Sequence, residues 1–305
     1  MTTTAQELCR PCLSELQADL ASHLRETTLS FVVDRGRHYL LIPGHVPFEW
    51  PPSPSRKTGT AFYEETSTLV LDYLLKRLRP TNCFDIGASD GYFSRVAASY
   101  RGSAPQVDAF EMRSTVAAAM RRAMENDQFA PRINLHVTGV SDRDAESVQV
   151  WLARSLLFEE QPLPREYKEA WWRRAKFRLR NDRSRGLSTV SLPVISIDGF
   201  TKRSRRLPDI IKIDVEGYEG KVLLGARDTL RSARPFILLE LHKDEMQRFG
   251  MRRQDVAQLI FDQGYDALLL TDHQNKSRCE VVPVGARDAL LGRQRTDMLL
   301  FVPRQ

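Results

Sequence analysis

Phe84-Asp-Ile-Gly-Ala-Ser-Asp-Gly-Tyr-Phe93 is the stretch that decides the fold of this chain. An apolar run stops at Asp85, and Gly87 and Gly91 follow it. A buried strand is expected to end there, turn tightly on glycine and enter a helix at Tyr92. The free N–H groups of that helix's first turn suit a polar or anionic ligand group. The spacing is G-x-x-x-G, not the G-x-G-x-x-G of dinucleotide-binding folds. An acid just before the first glycine suits a ligand that carries an ammonium group. Taken alone, the turn is also what any tight strand-to-helix connection would use.

Two more segments extend the reading. Gln106-Val-Asp-Ala-Phe-Glu111 is a short strand ending in an acid, placed where a second parallel strand would bring a carboxylate to ribose hydroxyls. The competing role for Glu111 is to cap the next helix, which begins near Ser114. In Asp209-Ile-Ile-Lys-Ile-Asp-Val-Glu-Gly-Tyr-Glu219, Ile211, Ile213 and Val215 alternate with Lys212 and Asp214. The strand breaks at Gly217 and a helix follows. Pro235-Phe-Ile-Leu-Leu-Glu-Leu-His242 is another buried strand, ending in Glu240 and His242. Charged residues gathered at strand ends mark the ligand edge of an open α/β sheet.

These segments together resemble the FkbM family of S-adenosylmethionine-dependent methyltransferases. The family pattern runs D-x-G-A-N-x-G-x-[FY], a strand ending in F-E-P, K-I-D-V-E-G-x-E, and L-x-E-x-H. Here it reads Asp85 to Phe93, Ala109-Phe-Glu-Met112, Lys212 to Glu219, and Leu238-Leu-Glu-Leu-His242. Ser89 stands where the family usually has Asn, and Met112 where it often has Pro. The resemblance covers about 81–271 and implies a class I methyltransferase fold with S-adenosylmethionine as cofactor. It implies cofactor contacts from Asp85, Gly87, Ser89, Gly91 and Glu111, with Ser141 and Asp142 meeting the adenine after the third strand. Asp214, Glu216 and His242 are the expected catalytic residues. His242 is the expected general base, because an unperturbed imidazole titrates near working pH, with Asp214 orienting it. No metal is assigned; a divalent ion held by Asp214, Glu240 and His242 is an open alternative.

The coarse order of elements is strand 82–86, helix 92–100, strand 106–111, helix 114–126 and strand 133–138. Strands near 147–152, 189–196 and 209–215 follow, then helix 218–231, strand 235–241, helix 252–263 and strand 266–271. An edge strand at 279–283 and a last strand at 297–302 close the series. Such alternation predicts a Rossmann-like, mostly parallel α/β sheet with an antiparallel last strand. Residues 1–60 are expected to be an N-terminal helical extension or cover segment, and 61–305 the methyltransferase domain. In the extension, helix 11–23 carries Leu13, Leu16, Leu20 and Leu24 on one stripe. The Pro-rich stretch Ile42 to Pro54 reads as an irregular linker. Helix 66–78 leads into the first strand.

Composition narrows the function. The chain of 305 residues is 42% hydrophobic, enough for a sizeable core, with a net charge of +6. It has no apolar run of about 18 residues, no basic-then-apolar leader, and 4 cysteines, which together fit a cytoplasmic protein. Cys9-Arg-Pro-Cys12 lacks the two further ligands a zinc site needs, and it does not follow a strand as a redox motif would.

The positive charge is concentrated in a helical insert at about 153–187. Between Arg165 and Arg185 nine basic residues face three acids, with Trp171, Trp172 and Phe177 interleaved. Arg173, Arg174, Lys176 and Trp172 are therefore the candidate acceptor-binding residues, and the plain alternative is a solvated helix anchored by its Trp residues. The expected acceptor is a hydroxyl on a small-molecule, glycan or lipid-like partner, anionic if the insert holds it. RNA 2′-O-methylation is the second reading; no RNA-binding module is recognisable, and +6 is modest for this length. A non-enzymatic binding protein is the third.

Overall fold

The computed structural model describes residues 12–50, 62, 64–153, 156–158, 187–242, 250–294 and 296–304. The expected insert helix, with Arg173, Arg174, Lys176 and Trp172, lies outside the described residues, as does Cys9.

Helix α1 (Leu13–Glu26) opens the described chain, with Cys12 at its N-cap. It buries Leu16, Leu20 and Leu24, one residue per turn on one face, as the leucine stripe predicts. A small antiparallel sheet follows: β1 (Ser30–Asp34), β2 (Arg37–Leu41) and β3 (Phe48–Glu49). Sequence reading gives this region as irregular cover and linker, and the structure corrects that. His38 O accepts from Trp50 N, and Val46 N donates to Ser99 O, so 42–50 is pinned by backbone hydrogen bonds. Phe48 is buried against Phe129 and beneath the Arg95 guanidinium, which also donates to Glu49 O at 2.9 Å.

The main sheet begins after α2 (Glu65–Leu78). β4 (Asn82–Ile86) leads to α3 (Tyr92–Ser99), β5 (Gln106–Phe110) to α4 (Ser114–Met124), and then comes β6 (Ile133–His136). The chain leaves the main sheet for β7 (Gly139–Val140), β8 (Ala145–Ala153), β9 (Leu156–Phe158) and β10 (Leu187–Ile195). It returns through α5 (Ile197–Ser204) to β11 (Ile210–Ile213), α6 (Glu219–Leu224), α7 (Arg227–Ala233) and β12 (Phe236–His242). Helix α8 (Arg253–Phe261), β13 (Tyr265–Leu270), β14 (Val281–Val284) and β15 (Thr296–Pro303) complete it.

The eight-stranded sheet has the order β14-β13-β15-β12-β11-β4-β5-β6. β4 pairs in parallel with β5 and β11, while β15 runs antiparallel to both β12 and β13. The strand order reverses direction at β4, which makes the edge above β4 and β11 a topological switch point, where open α/β sheets bind ligands. One face of the sheet packs with α1, α2 and α3, and the other with α5 to α8. β12 and β15 are buried at every residue, as expected of strands covered on both faces.

The helix expected over 218–231 is two helices. The break falls at Gly225, where a Cβ would collide with the carbonyl of Ser141. The loop after β7 thus presses on the helix backbone, and the Gly225 carbonyl accepts from Asp198 N at 2.8 Å.

A buried ionic clasp joins the extension to α2. Asp72 is fully buried and accepts from His23 Nε2 (2.9 Å), His45 Nε2 (2.9 Å) and Lys76 Nζ (2.8 Å). Burial works to raise its pKa, but these three partners overcome it and hold the carboxyl below its ordinary value.

Candidate active site

The turn after β4 carries the site's first wall. Gly87 sits at φ +83°, and a Cβ there would strike the backbone carbonyl of Asp214. Glycine at this position therefore lets the β4 turn touch the end of β11. Gly87 N and Ala88 N both donate to Phe110 O, which ties the same turn to β5. Ser89 takes a left-handed φ of +51° and donates its N–H to Glu111 Oε2 at 3.0 Å. Glu111 Oε1 accepts from Arg113 N and Nε, both at 2.9 Å.

Gly87, Ser89, Glu111 and Ser141 line one cavity of ≈ 210 Å³, together with Asp214 and Glu216. That is room for several contiguous groups, since one water occupies about 30 Å³. Ser141 Oγ lies 3.1 Å from Tyr218 Oη and donates to Asp142 Oδ1. The other wall is apolar: Val148, Val150, Leu192 and Val194, all from β8 and β10 of the small sheet. Sequence reading missed this wall. Its residues are ordinary strand valines and leucines, and only the return of the small sheet over the edge gives them a role.

Three expected cofactor residues do not line the cavity. Asp85 lies buried under the turn, where Oδ2 accepts from Ser94 Oγ at 2.6 Å and Oδ1 has no hydrogen-bond partner among the described residues. Burial raises its pKa, with Lys212 acting in the other direction. Gly91 is the N-cap of α3 and packs on Met120. Asp142 turns away to Lys221 Nζ at 3.0 Å. Its pKa is lowered: partial burial acts upward, but Lys221 and Ser141 prevail.

The second half of the site stands where β11 and β12 end. Lys212 is buried, reaches Asp214 Oδ2 at 3.3 Å and lies 4.3 Å from the centre of the Phe93 ring. Burial works to lower its pKa, yet Asp214 and Asp85 hold it above the ordinary lysine value. Asp214 is lowered in turn: burial opposes ionisation, but Lys212 and His242 favour it. His242 Nδ1 is 2.9 Å from Glu219 Oε1. A carboxylate only accepts, so Nδ1 carries the proton and Nε2 faces Asp214 and Glu240. Burial acts to lower the His242 pKa, but Glu219, Glu240 and Asp214 push it up to about 10. Burial, with Asp214 beside it, raises Glu240 to about 8. His273 sits beside them, lowered to about 4 by burial. Glu216, at φ +54°, is exposed at the cavity wall.

The structure thus brings Asp214, Glu240 and His242 together and places Glu216 at the neighbouring wall. Glu219, Glu240 and Asp214 all favour the protonated form of His242, which works against the expected base role. Glu219 was legible as the last residue of the K-I-D-V-E-G-x-E motif, but its bond to His242 needs the fold. His273 carries no local signal.

The model of the methyltransferase FkbM domain matches residues 85–267. The chain belongs to the FkbM methyltransferase family. Among curated proteins none matches it. Of solved structures, the FkbM methyltransferase from Methylobacillus flagellatus KT is 16% identical, covering 73% of this chain and 44% of its own, with a TM-score of 0.41. The chain therefore spans less than half of that relative's length. An O-methyltransferase from Bacillus cereus in complex with SAH is 12% identical over 80% of this chain and 82% of its own (TM-score 0.40). A putative RNA methyltransferase from Pyrococcus horikoshii is 11% identical over 95% and 100% (TM-score 0.38). The fold is the class I methyltransferase fold, and the family's cofactor is S-adenosylmethionine.

The cavity fits that cofactor. Glu111 offers an acidic acceptor, 4% exposed, at the end of the second strand. Beside it stand Ser141 and the apolar plate of Val148, Val150 and Leu192, chemistry suited to ribose hydroxyls and a flat base. Among the described residues no helix is long and apolar enough to cross a membrane.

Proposed function

We propose that this FkbM-family protein transfers a methyl group from S-adenosylmethionine to a hydroxyl of a small-molecule, glycan or lipid-like acceptor. The observation that carries the reading is the meeting of Gly87 with Asp214. One residue closes the cofactor turn with its backbone and joins the Glu240–His242 cluster with its side chain. The methyl-bearing end of the cavity and the acid–imidazole cluster are therefore neighbours.

When bound, the cofactor supplies a methyl already activated by a sulfonium. The chain's residues do the rest. Glu111 grips ribose hydroxyls, Ser89 and Gly87 leave room for the amino-acid portion, and Ser141 with the small-sheet valines holds the base and excludes water. Asp85 and Gly91 shape the turn from beneath, and Asp142 fixes the Ser141 loop through Lys221. At the other end Glu240 and His242 hold the acceptor oxygen behind the methyl, the alignment such a transfer requires, and Asp214, whose carboxylate form is favoured by Lys212 and His242, takes the hydroxyl proton. Glu216 stands at the same wall. The basic insert, Arg165 to Arg185, is proposed to meet the acceptor, since its ends leave from β9 and β10 of the sheet that walls the cavity.

The test is transfer of labelled methyl from S-adenosylmethionine to a panel of polyols, glycans, lipids, polyketides and RNA. The expected products are alkali-stable methyl ethers on a non-nucleic acceptor; methylation of RNA alone would replace this acceptor class with the ribose 2′-hydroxyl. Glu111→Ala should weaken cofactor binding by about 1.5–3 kcal/mol, the scale of a charge-assisted hydrogen-bond set. Calorimetry showing unchanged affinity would remove Glu111 from the cofactor site.

A further inference from the structure

The cluster at the ends of β11 and β12 is close-packed in charge but poor in hydrogen bonds. One donor atom each from Asp214, Glu240 and His242 lies within 4.8 Å of the other two. His242 Nε2 is 3.8 Å from Asp214 Oδ1 and 3.7 Å from Glu240 Oε1, beyond hydrogen-bond reach of either. Glu240 accepts no hydrogen bond from any described residue. Asp214 commits Oδ2 to Lys212 and leaves Oδ1 toward the gap. A second imidazole lies beside Glu240. His273 is 4% exposed, its Nε2 is 3.8 Å from Glu240 Oε1, and its Nδ1 has no partner. Burying the Nδ1 of His273 with no hydrogen-bond partner among the described residues is costly, and both imidazoles stand beside Glu240.

We propose that Asp214, Glu240 and His242 form a binding site for one divalent cation of the Mn²⁺, Fe²⁺ or Zn²⁺ type, with His273 as a fourth donor. The dimensions suit an ion. Ligands about 2.1 Å from a metal stand about 3 Å apart at a right angle and about 3.4 Å at the tetrahedral angle. The gaps from His242 Nε2 to Asp214 and Glu240, 3.8 and 3.7 Å, need to close by a few tenths of an ångström to reach the tetrahedral spacing. The donor set selects the ion. Mixed imidazole and carboxylate favour borderline metals, whereas Ca²⁺ and Mg²⁺ prefer oxygen alone. Glu219 supplies the outer support such a histidine ordinarily has, a carboxylate on the ring nitrogen that does not ligate. The charge balance agrees, since Glu64, Asp85, Asp214 and Glu240 all lie around the single buried lysine, Lys212. The ion would hold acceptor oxygens at the mouth of the cofactor cavity, which Asp214 also lines. This deepens the proposed reading and rests on it for the ion's purpose, though not for its binding.

The decisive experiment is titration of the full-length protein, stripped with EDTA and desalted, with MnCl₂ under electron paramagnetic resonance. One bound Mn²⁺ per chain is expected, with affinity reduced at least ~10-fold in Glu240→Gln and in His242→Gln and less in His273→Asn. Asp228→Asn, an exposed acid of α7 outside the cluster, should bind Mn²⁺ as the wild type does. Circular dichroism establishes that each variant is folded; if His242→Gln is not, the isosteric Glu240→Gln decides. Failure of the wild type to bind at millimolar Mn²⁺, or undiminished binding by the folded variants, overturns the site. S-adenosylmethionine titrated into the same metal-free protein separates the two ideas. Cofactor binding without Mn²⁺ binding ends the ion alone, and absence of both ends the methyltransferase reading too.

Discussion

Two of the carboxylate–imidazole clusters among the described residues are built oppositely. At Asp72 one fully buried acid is met by two histidines and a lysine, all between 2.8 and 2.9 Å. At Asp214, Glu240, His242 and His273 the corresponding gaps run from 3.7 to 3.8 Å. The first cluster is closed, its acid satisfied by more donors than it needs. The second gathers two acids and two imidazoles and leaves each imidazole Nε2 short of a hydrogen bond to them. A closed cluster holds the fold together. An open one is kept open by the fold against its own repulsion, and strain of that kind accumulates where ligands bind.

The largest expected effect tests the closed side. Asp72→Ala strips His23, His45 and Lys76 of their common acceptor inside the core, and should lower stability by about 3–5 kcal/mol in chemical denaturation. Its cofactor affinity per folded molecule should be unchanged. Retention of wild-type stability would make the clasp ornamental.

The second test uses pH, with chelator present so that no ion intervenes. Asp72 has a lowered pKa, so its contribution to stability is present above the ordinary carboxylate value and is lost as pH falls below it. Glu240 has the opposite sign. Raised from 4.5 to about 8, it binds a proton in the native state that the unfolded chain gives up, so its contribution declines as pH rises from 4.5 through 8. Glu240→Gln should therefore flatten the stability profile in that window and leave the acid limb, set by Asp72, in place. An unaltered profile in the variant would mean that the acids are not in conflict. The smallest effect is expected for Lys76→Ala, which removes a partner that is 34% exposed. Two histidines still serve Asp72, and the loss should be about 1 kcal/mol or less by thermal melting.

How much of this was legible in the sequence depends on how far apart the interacting residues stand. The strands ending at Asp85, Glu111, Asp214 and His242 announce themselves by an apolar run closed with a charge, and the structure sets all four at the same edge of the sheet. The Gly87 turn is equally local. The split at Gly225 was not legible, because the obstacle is the carbonyl of Ser141, far off in sequence. Nor was the β1–β3 sheet: prolines at 43 and 47 suggest a linker, and the backbone bonds to Trp50 and Ser99 that order it are long-range. Asp72 reads as one polar position within the apolar run 69–75 of α2, and His45 as part of the linker. Only folding makes them a pair. His273 follows a strand with nothing beside it to mark a role, and its meaning comes entirely from Glu240.

Helix α1 rests partly on the far end of the chain. Gln17 Nε2 donates to Val281 O at 2.8 Å and Lys276 Nζ to Thr27 O at 2.6 Å, while Leu16 and Leu20 share a core with Val281. Partners 264 and 249 residues apart must meet before that seat is complete. Loop closure over such a span is entropically slow. On the ribosome α1 can meet α2 early through His23 and Asp72, but its seat is complete only once the strand at 281–284 has emerged.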